Sequence, residues 1–126
     1  MLASIEKQIK TEGFANLGDH YSMSRNGRNY TICEHGTGTQ KMIEIAGVTS
    51  IRLLNSEERE KLSQMAFSDR RRRLESVNVG GRTSLVLSML LSETDDIVLS
   101  EHIKEVEDLL QNLEKKVSEI SRAYRR

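Results

Sequence analysis

The sequence contains no proline and no tryptophan, and Cys33 is its one cysteine. Average usage of about 5% would supply roughly six prolines in a chain of this length. Because proline breaks helices, its absence favours uninterrupted helices and argues against long disordered linkers. A single cysteine excludes an internal disulfide bond.

Long apolar runs and net charge are also missing. No stretch approaches the ~20 apolar residues of a membrane-spanning helix, and the N-terminus lacks the apolar run of a signal peptide. The 19 Lys and Arg residues balance 19 Asp and Glu residues, so overall charge indicates neither a nucleic-acid nor a membrane partner. We therefore predict a cytoplasmic protein without membrane insertion. Its 126 residues suffice for one modest domain, or a small domain with an oligomerising segment.

Residues 1–47 hold six of the eight glycines and predict an N-terminal extension built around a small β-hairpin or meander. A short helix is expected up to Thr11, ended by Gly13. Residues 21–34 have the pattern of a hairpin, because Asn26-Gly27 suits the two positive φ angles of a type I′ turn. Residues 41–45 predict a third strand.

Residues 48–93 predict a strand followed by two helices. The strand covers 48–54, and Asn55-Ser56-Glu57-Glu58 then predicts a capped helix running to about Phe67. A basic connection leads to a second helix, capped by Thr83 or Ser84, that contains the apolar run 85–91. Residues 48–91 contain eight basic and five acidic residues, a local excess of three positive charges.

Residues 97–126 carry the clearest periodicity in the sequence. Apolar residues alternate at spacings of four and three, which is the a/d stripe of a coiled coil: Leu99, Ile103, Val106, Leu110, Leu113, Val117, Ile120 and Tyr124. Two interpretations are open. We favour an oligomerisation helix that forms a coiled coil between chains, and the alternative is an amphipathic helix that packs on its own domain.

Groups that resemble catalytic or metal sites are few. Cys33 and His35 point the same way on a strand, so a Cys–His nucleophile pair is conceivable. A zinc site is not expected here, because zinc needs four ligands and the chain has no second cysteine. The loop from Gly36 to Thr39 lacks the Gly-Lys-Ser/Thr ending of a phosphate-binding P-loop. We predict no active site, no metal and no cofactor, hence a protein that is not an enzyme.

The order of a short strand, a capped helix, a basic connection and a Ser/Thr-initiated helix resembles the ribbon-helix-helix DNA-binding family. The resemblance rests on three motifs: Ser50-Ile-Arg-Leu53, Ser56-Glu-Glu-Arg-Glu-Lys-Leu62 and Arg82-Thr-Ser-Leu-Val-Leu-Ser-Met-Leu-Leu91. Within the family, the long connection 68–83 and the expected helix with Ser84 and Ser88-Met-Leu-Leu91 are most similar to the TraM-type accessory proteins, which belong to the relaxosomes of conjugative plasmids. Together with the N-terminal hairpin and the heptad stripe, this resemblance leads us to predict an α+β fold with an N-terminal hairpin, a ribbon-helix-helix-like strand-helix-helix region and a C-terminal coiled-coil helix.

The resemblance also implies an obligate dimer whose paired strands enter the major groove of double-stranded DNA. Ser50 and Arg52 would face the base edges. The N-terminus of the second helix would grip a phosphate, and the expected phosphate contacts are Arg70, Arg71, Arg72, Arg73, Arg82, Thr83 and Ser84. The expected function is that of a relaxosome accessory factor or transcriptional regulator. Its partners would be DNA, a second copy of the chain, and other relaxosome or regulatory proteins.

A second functional hypothesis comes from a different class. If residues 21–54 form a sheet within one chain, the intermolecular ribbon is lost. The protein would then be a protein-binding adaptor or a secretion-chaperone-like dimer, with the heptad stripe as its partner surface. The pairing partner of residues 48–54 decides between the two hypotheses.

Overall fold

A computed structural model of the chain describes residues 5–36, 41–64, 71–92 and 96–124. The helices in these ranges are α1 (Glu6–Thr11), α2 (Ser56–Gln64) and α3 (Leu99–Tyr124). The strands are β1 (Ala15–Asn16), β2 (Tyr21–Arg25), β3 (Arg28–His35), β4 (Met42–Arg52), β5 (Arg72–Val79) and β6 (Arg82–Ser92). All six strands belong to one antiparallel sheet with the order β1-β2-β3-β4-β6-β5.

The predicted hairpin at residues 21–34 is confirmed as β2 and β3. Asn26 and Gly27 form its turn with φ angles of 54° and 74°, the left-handed values that a type I′ turn requires. Tyr30 and Ile32 of β3 alternate with more exposed residues and lie fully buried on the inner face of the sheet. The local turn chemistry and the alternation therefore fix this part of the fold.

β4 joins the two predicted strands 41–45 and 48–54 into one strand of eleven residues. One edge of β4 pairs with β3 and the other with β6 of the same chain. The pairing with β3 ends at Val48, whereas the pairing with β6 continues to Arg52, so residues 48–52 of the predicted ribbon pair within the chain and the predicted intermolecular ribbon is wrong. The boundary predicted between residues 47 and 48 falls inside this strand.

The predicted second helix of the strand-helix-helix region is also wrong, because residues 82–92 form β6. Burial alternates along β6: Thr83, Leu85, Leu87, Met89 and Leu91 are buried, and the residues between them are partly exposed. The basic connection is β5 over residues 72–79, and a turn at Gly80-Gly81 with φ angles of 61° and 76° joins the two strands. Pairing of β6 with β4 on one edge and with β5 on the other overrides the helix propensity of its Leu and Met residues.

α3 exists as expected, but its apolar stripe packs on the sheet of its own chain. Leu99, Ile103, Val106, Leu110, Leu113 and Val117 are all buried in the core that the sheet and the helices share. Because this stripe already has a partner, the predicted coiled-coil seam between chains is wrong. The side chains of Ile120 and Tyr124, which also belong to the predicted seam, lie outside the described residues.

α3 packs tightly on the sheet at Gly47 of β4. A Cβ atom on Gly47 would lie 2.6 Å from Val106 Cγ1 and 2.8 Å from Leu110 Cδ1. Both distances are shorter than side chains tolerate, so the missing side chain is what lets the helix sit this low on the sheet. Glycine here serves close packing.

The two short helices complete the same side of the molecule. α1 buries Ile9 in the common core, and its Gln8 side chain bonds the backbone of Ile97 and Leu99 at the start of α3. The predicted start of α2 is confirmed by a reciprocal capping pair between Asn55 and Glu58. Residues 65–67 of the predicted helix lie outside the described residues. None of the helices in the described ranges has the length and apolarity needed to cross a bilayer.

Candidate functional site

The two predicted base-contacting residues lie on β4, near the end of the sheet where α2 begins. Arg52 is ion-paired with Glu58 of α2 and donates a second bond to the Leu53 carbonyl (3.1 Å). The hydrogen bond from this guanidinium is the largest cause of the lowered pKa of the buried Glu58 carboxyl. Ser50 accepts a bond from the Arg82 guanidinium of β6 through its hydroxyl oxygen (2.8 Å). Arg52 thus helps to attach α2 to the sheet.

The predicted phosphate contacts are divided among several places. Arg72 pairs with Glu105 of α3, and Arg73 pairs with Glu75 of its own strand at 3.6 Å. Arg71 lies in the turn before β5, and Arg70 lies outside the described residues. The structure therefore does not bring the described arginines of this run together on one surface.

Thr83 and Ser84 lie within β6, so no helix N-terminus is present at this point to bind a phosphate. Thr83 is fully buried. Its hydroxyl donates to Asn78 Oδ1 (2.6 Å) and accepts from the Leu54 N–H (2.8 Å), so it ties β6 to the segment between β4 and α2. Ser84 occupies the opposite, partly exposed side of the strand.

A groove of about 680 Å³ lies at the tip of the β2–β3 hairpin and is lined by residues of β3, β4 and α3. At its wall the Arg28 guanidinium donates two bonds to Glu114 (3.0 and 2.8 Å), and the Thr49 hydroxyl donates a third (2.8 Å). The bonds from Arg28, more than that from Thr49, hold the Glu114 pKa below its ordinary value. Because these groups satisfy one another, the cluster serves to fasten α3 to the sheet.

The opposite side of the sheet, which we call the open face, is covered by none of the described helices. It carries the residues of β4 and β6 that alternate with the buried ones, and the matching residues of β5. Its apolar members are Met42, Val48, Val77, Val79, Val86 and Leu90, together with Ala46, which is buried between its neighbours. Val48 and Val86 stand directly opposite each other at its centre, and Val77 and Val79 are 47% and 64% exposed.

The outer edge of β5 is a second candidate surface. Because Arg71 accepts a bond from the Leu90 N–H (2.8 Å), the antiparallel pattern directs the backbone groups of residues 72, 74, 76 and 78 outward. Arg59 of α2 donates to the Ser76 carbonyl (3.1 Å) and hydroxyl (3.2 Å) and so covers the middle of this edge. Such covering is a common protection against unwanted strand pairing.

A cluster of three potential metal ligands lies on the open face where β3 pairs with β4. Cys33 and His35 alternate along β3 as the sequence predicts, with 3.3 Å between Sγ and Nε2. The sheet register adds Glu44 directly opposite Cys33, which sequence reasoning missed. Burial, followed by the Glu44 carboxylate, raises the pKa of the Cys33 thiol, so it is a poor nucleophile in this state.

Comparison of this chain with protein-family models, with curated proteins and with solved structures finds no match.

Proposed function

We propose that this protein is a protein-binding adaptor of the secretion-chaperone-like kind, which receives an extended apolar segment of a partner protein on its open face. One observation carries the proposal: a broad antiparallel sheet is covered by the described helices on one side only, and its other side presents apolar side chains. Contiguous apolar surface that is left exposed marks sites of interaction with proteins, membranes or ligands.

The arrangement of the open face favours an extended segment as the ligand. Side chains on one face of a strand repeat every second residue, so β4 and β6 each present a column of side chains on the open face. Val48 belongs to the β4 column, and Val86, its cross-strand partner, belongs to the neighbouring β6 column. An extended peptide has the same repeat, so its alternate apolar side chains can fit between the columns. The hydroxyls of Ser84 and Ser88 lie among these valines and can bond peptide groups of such a ligand.

The same structure alters both earlier hypotheses about function. Pairing of β4 within the chain is what the adaptor hypothesis requires, and it removes the ribbon on which the DNA hypothesis depends. The adaptor hypothesis changes in one respect, because the heptad stripe through Val117 is buried and the open face takes its place as the partner surface. DNA binding by the arginines stays a prediction and is included in the test below.

The experiment is a selection from random peptide segments on the wild-type chain. Enriched peptides are then compared on a Val48→Thr/Val86→Thr double variant, which keeps the β-branched shape but makes the face polar. Each valine contributes about 1.5–3 kcal/mol when fully buried, so partial loss at both positions predicts roughly ten- to hundredfold weaker binding. The control Ser22→Thr, at the β2 end of this face, should bind like the wild type.

The expected result is a set of peptides with apolar residues at alternate positions that lose affinity for the double variant alone. Failure to enrich any peptide, or equal binding to wild type and double variant, would refute the proposal. A parallel selection from random DNA duplexes at several salt concentrations tests the earlier hypothesis, because phosphate contacts make the affinity salt-dependent. Sedimentation of the chain alone shows whether a second copy occupies the open face instead.

A further inference from the structure

We infer that Cys33, His35 and Glu44 form a binding site for a single divalent cation of the zinc class. The three side chains offer a sulfur, a nitrogen and an oxygen ligand, and these atoms all lie within 4.8 Å of one another. This inference is independent of the proposed function, because it rests on ligand geometry at one end of the open face and on no partner protein.

The distances among the three atoms match those of a tetrahedral zinc site. Bonds of about 2.3 Å to sulfur and about 2.05 Å to nitrogen and oxygen place sulfur about 3.6 Å from each lighter atom, and the lighter atoms about 3.3 Å apart. The structure has 3.3 Å from Cys33 Sγ to His35 Nε2, 3.7 Å from Sγ to Glu44 Oε1, and 3.4 Å from Nε2 to Oε1. An ion can therefore bind with shifts of only about 0.3 Å or less in these separations.

The backbone holds the three ligands in this arrangement. Cys33 and His35 are two residues apart on β3 and so project from the same face, and Glu44 is the direct cross-strand partner of Cys33. Cys33 and His35 are held by pairing with β4, and Glu44 is paired on both edges, with β3 and with β6, which limits the movement of the strand that carries it. A site built on paired strands needs little ordering when the ion arrives.

The chemistry of the ligands selects the class of ion. A thiolate and an imidazole favour zinc and its neighbours in the transition series over magnesium or calcium, which prefer oxygen ligands alone. The Cys33 thiol must lose its proton to solvent as the sulfur–metal bond forms. Three protein ligands leave a fourth tetrahedral position, and since His35 is exposed, water can fill it.

The test titrates the wild-type chain, kept reduced, with Zn²⁺ by calorimetry and with Co²⁺ by absorption spectroscopy. We expect one ion per chain, and for Co²⁺ the sulfur-to-metal charge-transfer band and the strong visible absorption of tetrahedral coordination. Cys33→Ser, His35→Gln and Glu44→Gln should each weaken binding by more than the roughly 10- to 100-fold typical of outer-shell changes. Cys33→Ser should also abolish the charge-transfer band.

Glu75→Gln is the matched control, because Glu75 of β5 lies on the open face, like the three ligands, but pairs with Arg73 away from the cluster. It should leave the affinity and the cobalt spectrum unchanged. The inference is overturned if the wild type does not bind Zn²⁺, if Cys33→Ser binds as tightly as the wild type, or if one ion binds per two chains. Circular dichroism of each variant confirms that the comparison is made on folded protein.

Discussion

The contact between α3 and the sheet can be tested most sharply at Gly47. An alanine there would place its Cβ 2.6 Å from Val106 Cγ1 and 2.8 Å from Leu110 Cδ1. Overpacking of this kind costs about 1–3 kcal/mol, and replacing a strand glycine returns about 0.5–1 kcal/mol. Gly47→Ala should therefore lower the free energy of unfolding by up to about 2.5 kcal/mol.

A second substitution shows whether the clash with the helix is the cause. Leu110 is fully buried, and Leu110→Ala should cost about 2–5 kcal/mol because it leaves a cavity. In the double variant the new Cβ at position 47 occupies part of that cavity. The combined loss should therefore be smaller than the sum of the single losses by about 0.5–3 kcal/mol, the range seen for residues in contact.

Urea unfolding of the wild type, the two single variants and the double variant measures this coupling. The control pair is Gly47→Ala with Leu62→Ala, because Leu62 is a buried residue of α2, which packs beside β5. These two losses should add within about 0.5 kcal/mol. If the losses of Gly47→Ala and Leu110→Ala were also additive, the close contact between α3 and β4 at Gly47 would be refuted.

Three further predictions concern other polar and apolar contacts. Thr83→Val should lower the free energy of unfolding by about 1–3 kcal/mol in urea unfolding, since the buried Leu54 N–H loses its acceptor. Thr83→Ser keeps the hydroxyl and should retain most of the wild-type stability. If Thr83→Val were as stable as the wild type, the contact would be contradicted. The pKa of Glu114 is lowered by Arg28, so the stability it confers is present above the ordinary glutamate pKa and is lost as pH falls through the lower folded pKa. Glu114→Gln should thus be less stable than the wild type at neutral pH and should lose less stability than the wild type on acidification. If the free energy of unfolding changed equally with pH in both proteins, this prediction would be contradicted. Leu113→Lys should abolish the folded circular-dichroism spectrum, whereas folded protein of smaller sedimenting mass would support an intermolecular seam.

Local signals in the sequence predicted the parts of the fold that depend on near neighbours. Asn26-Gly27 specifies its turn by its own backbone preferences, and Asn55 with Glu58 forms a cap within four residues. The amphipathic pattern of α3 was also sufficient to predict a helix. None of these features requires knowledge of a distant part of the chain.

The errors arose where a distant partner decides the structure. Residues 82–92 contain serines at spacings of four, which suit a helix, yet the same residues alternate in burial once β4 and β5 flank them. Gly80-Gly81 between alternating segments is a hairpin signal that could have identified β5 and β6. The spacing of α3 suits a coiled coil and a sheet-covering helix equally, so spacing alone could not choose between them.

The candidate sites show the same limit. Cys33 and His35 were visible as a pair because they are two residues apart on one strand. Glu44 joins them only through the register of β3 with β4, and no sequence pattern gives that register. The open face likewise depends on knowing which side of the sheet the helices cover.

Binding to the open face is tested most directly by mapping a selected peptide onto the chain by NMR. Methyl groups of Val48 and Val86 report on the open face, and those of Leu87 and Leu110, which are buried on the other side, serve as internal controls. The account predicts that peptide addition shifts the valine methyl signals and leaves the two leucines nearly unchanged. Shifts confined to the leucines, or none at saturating peptide, would contradict it.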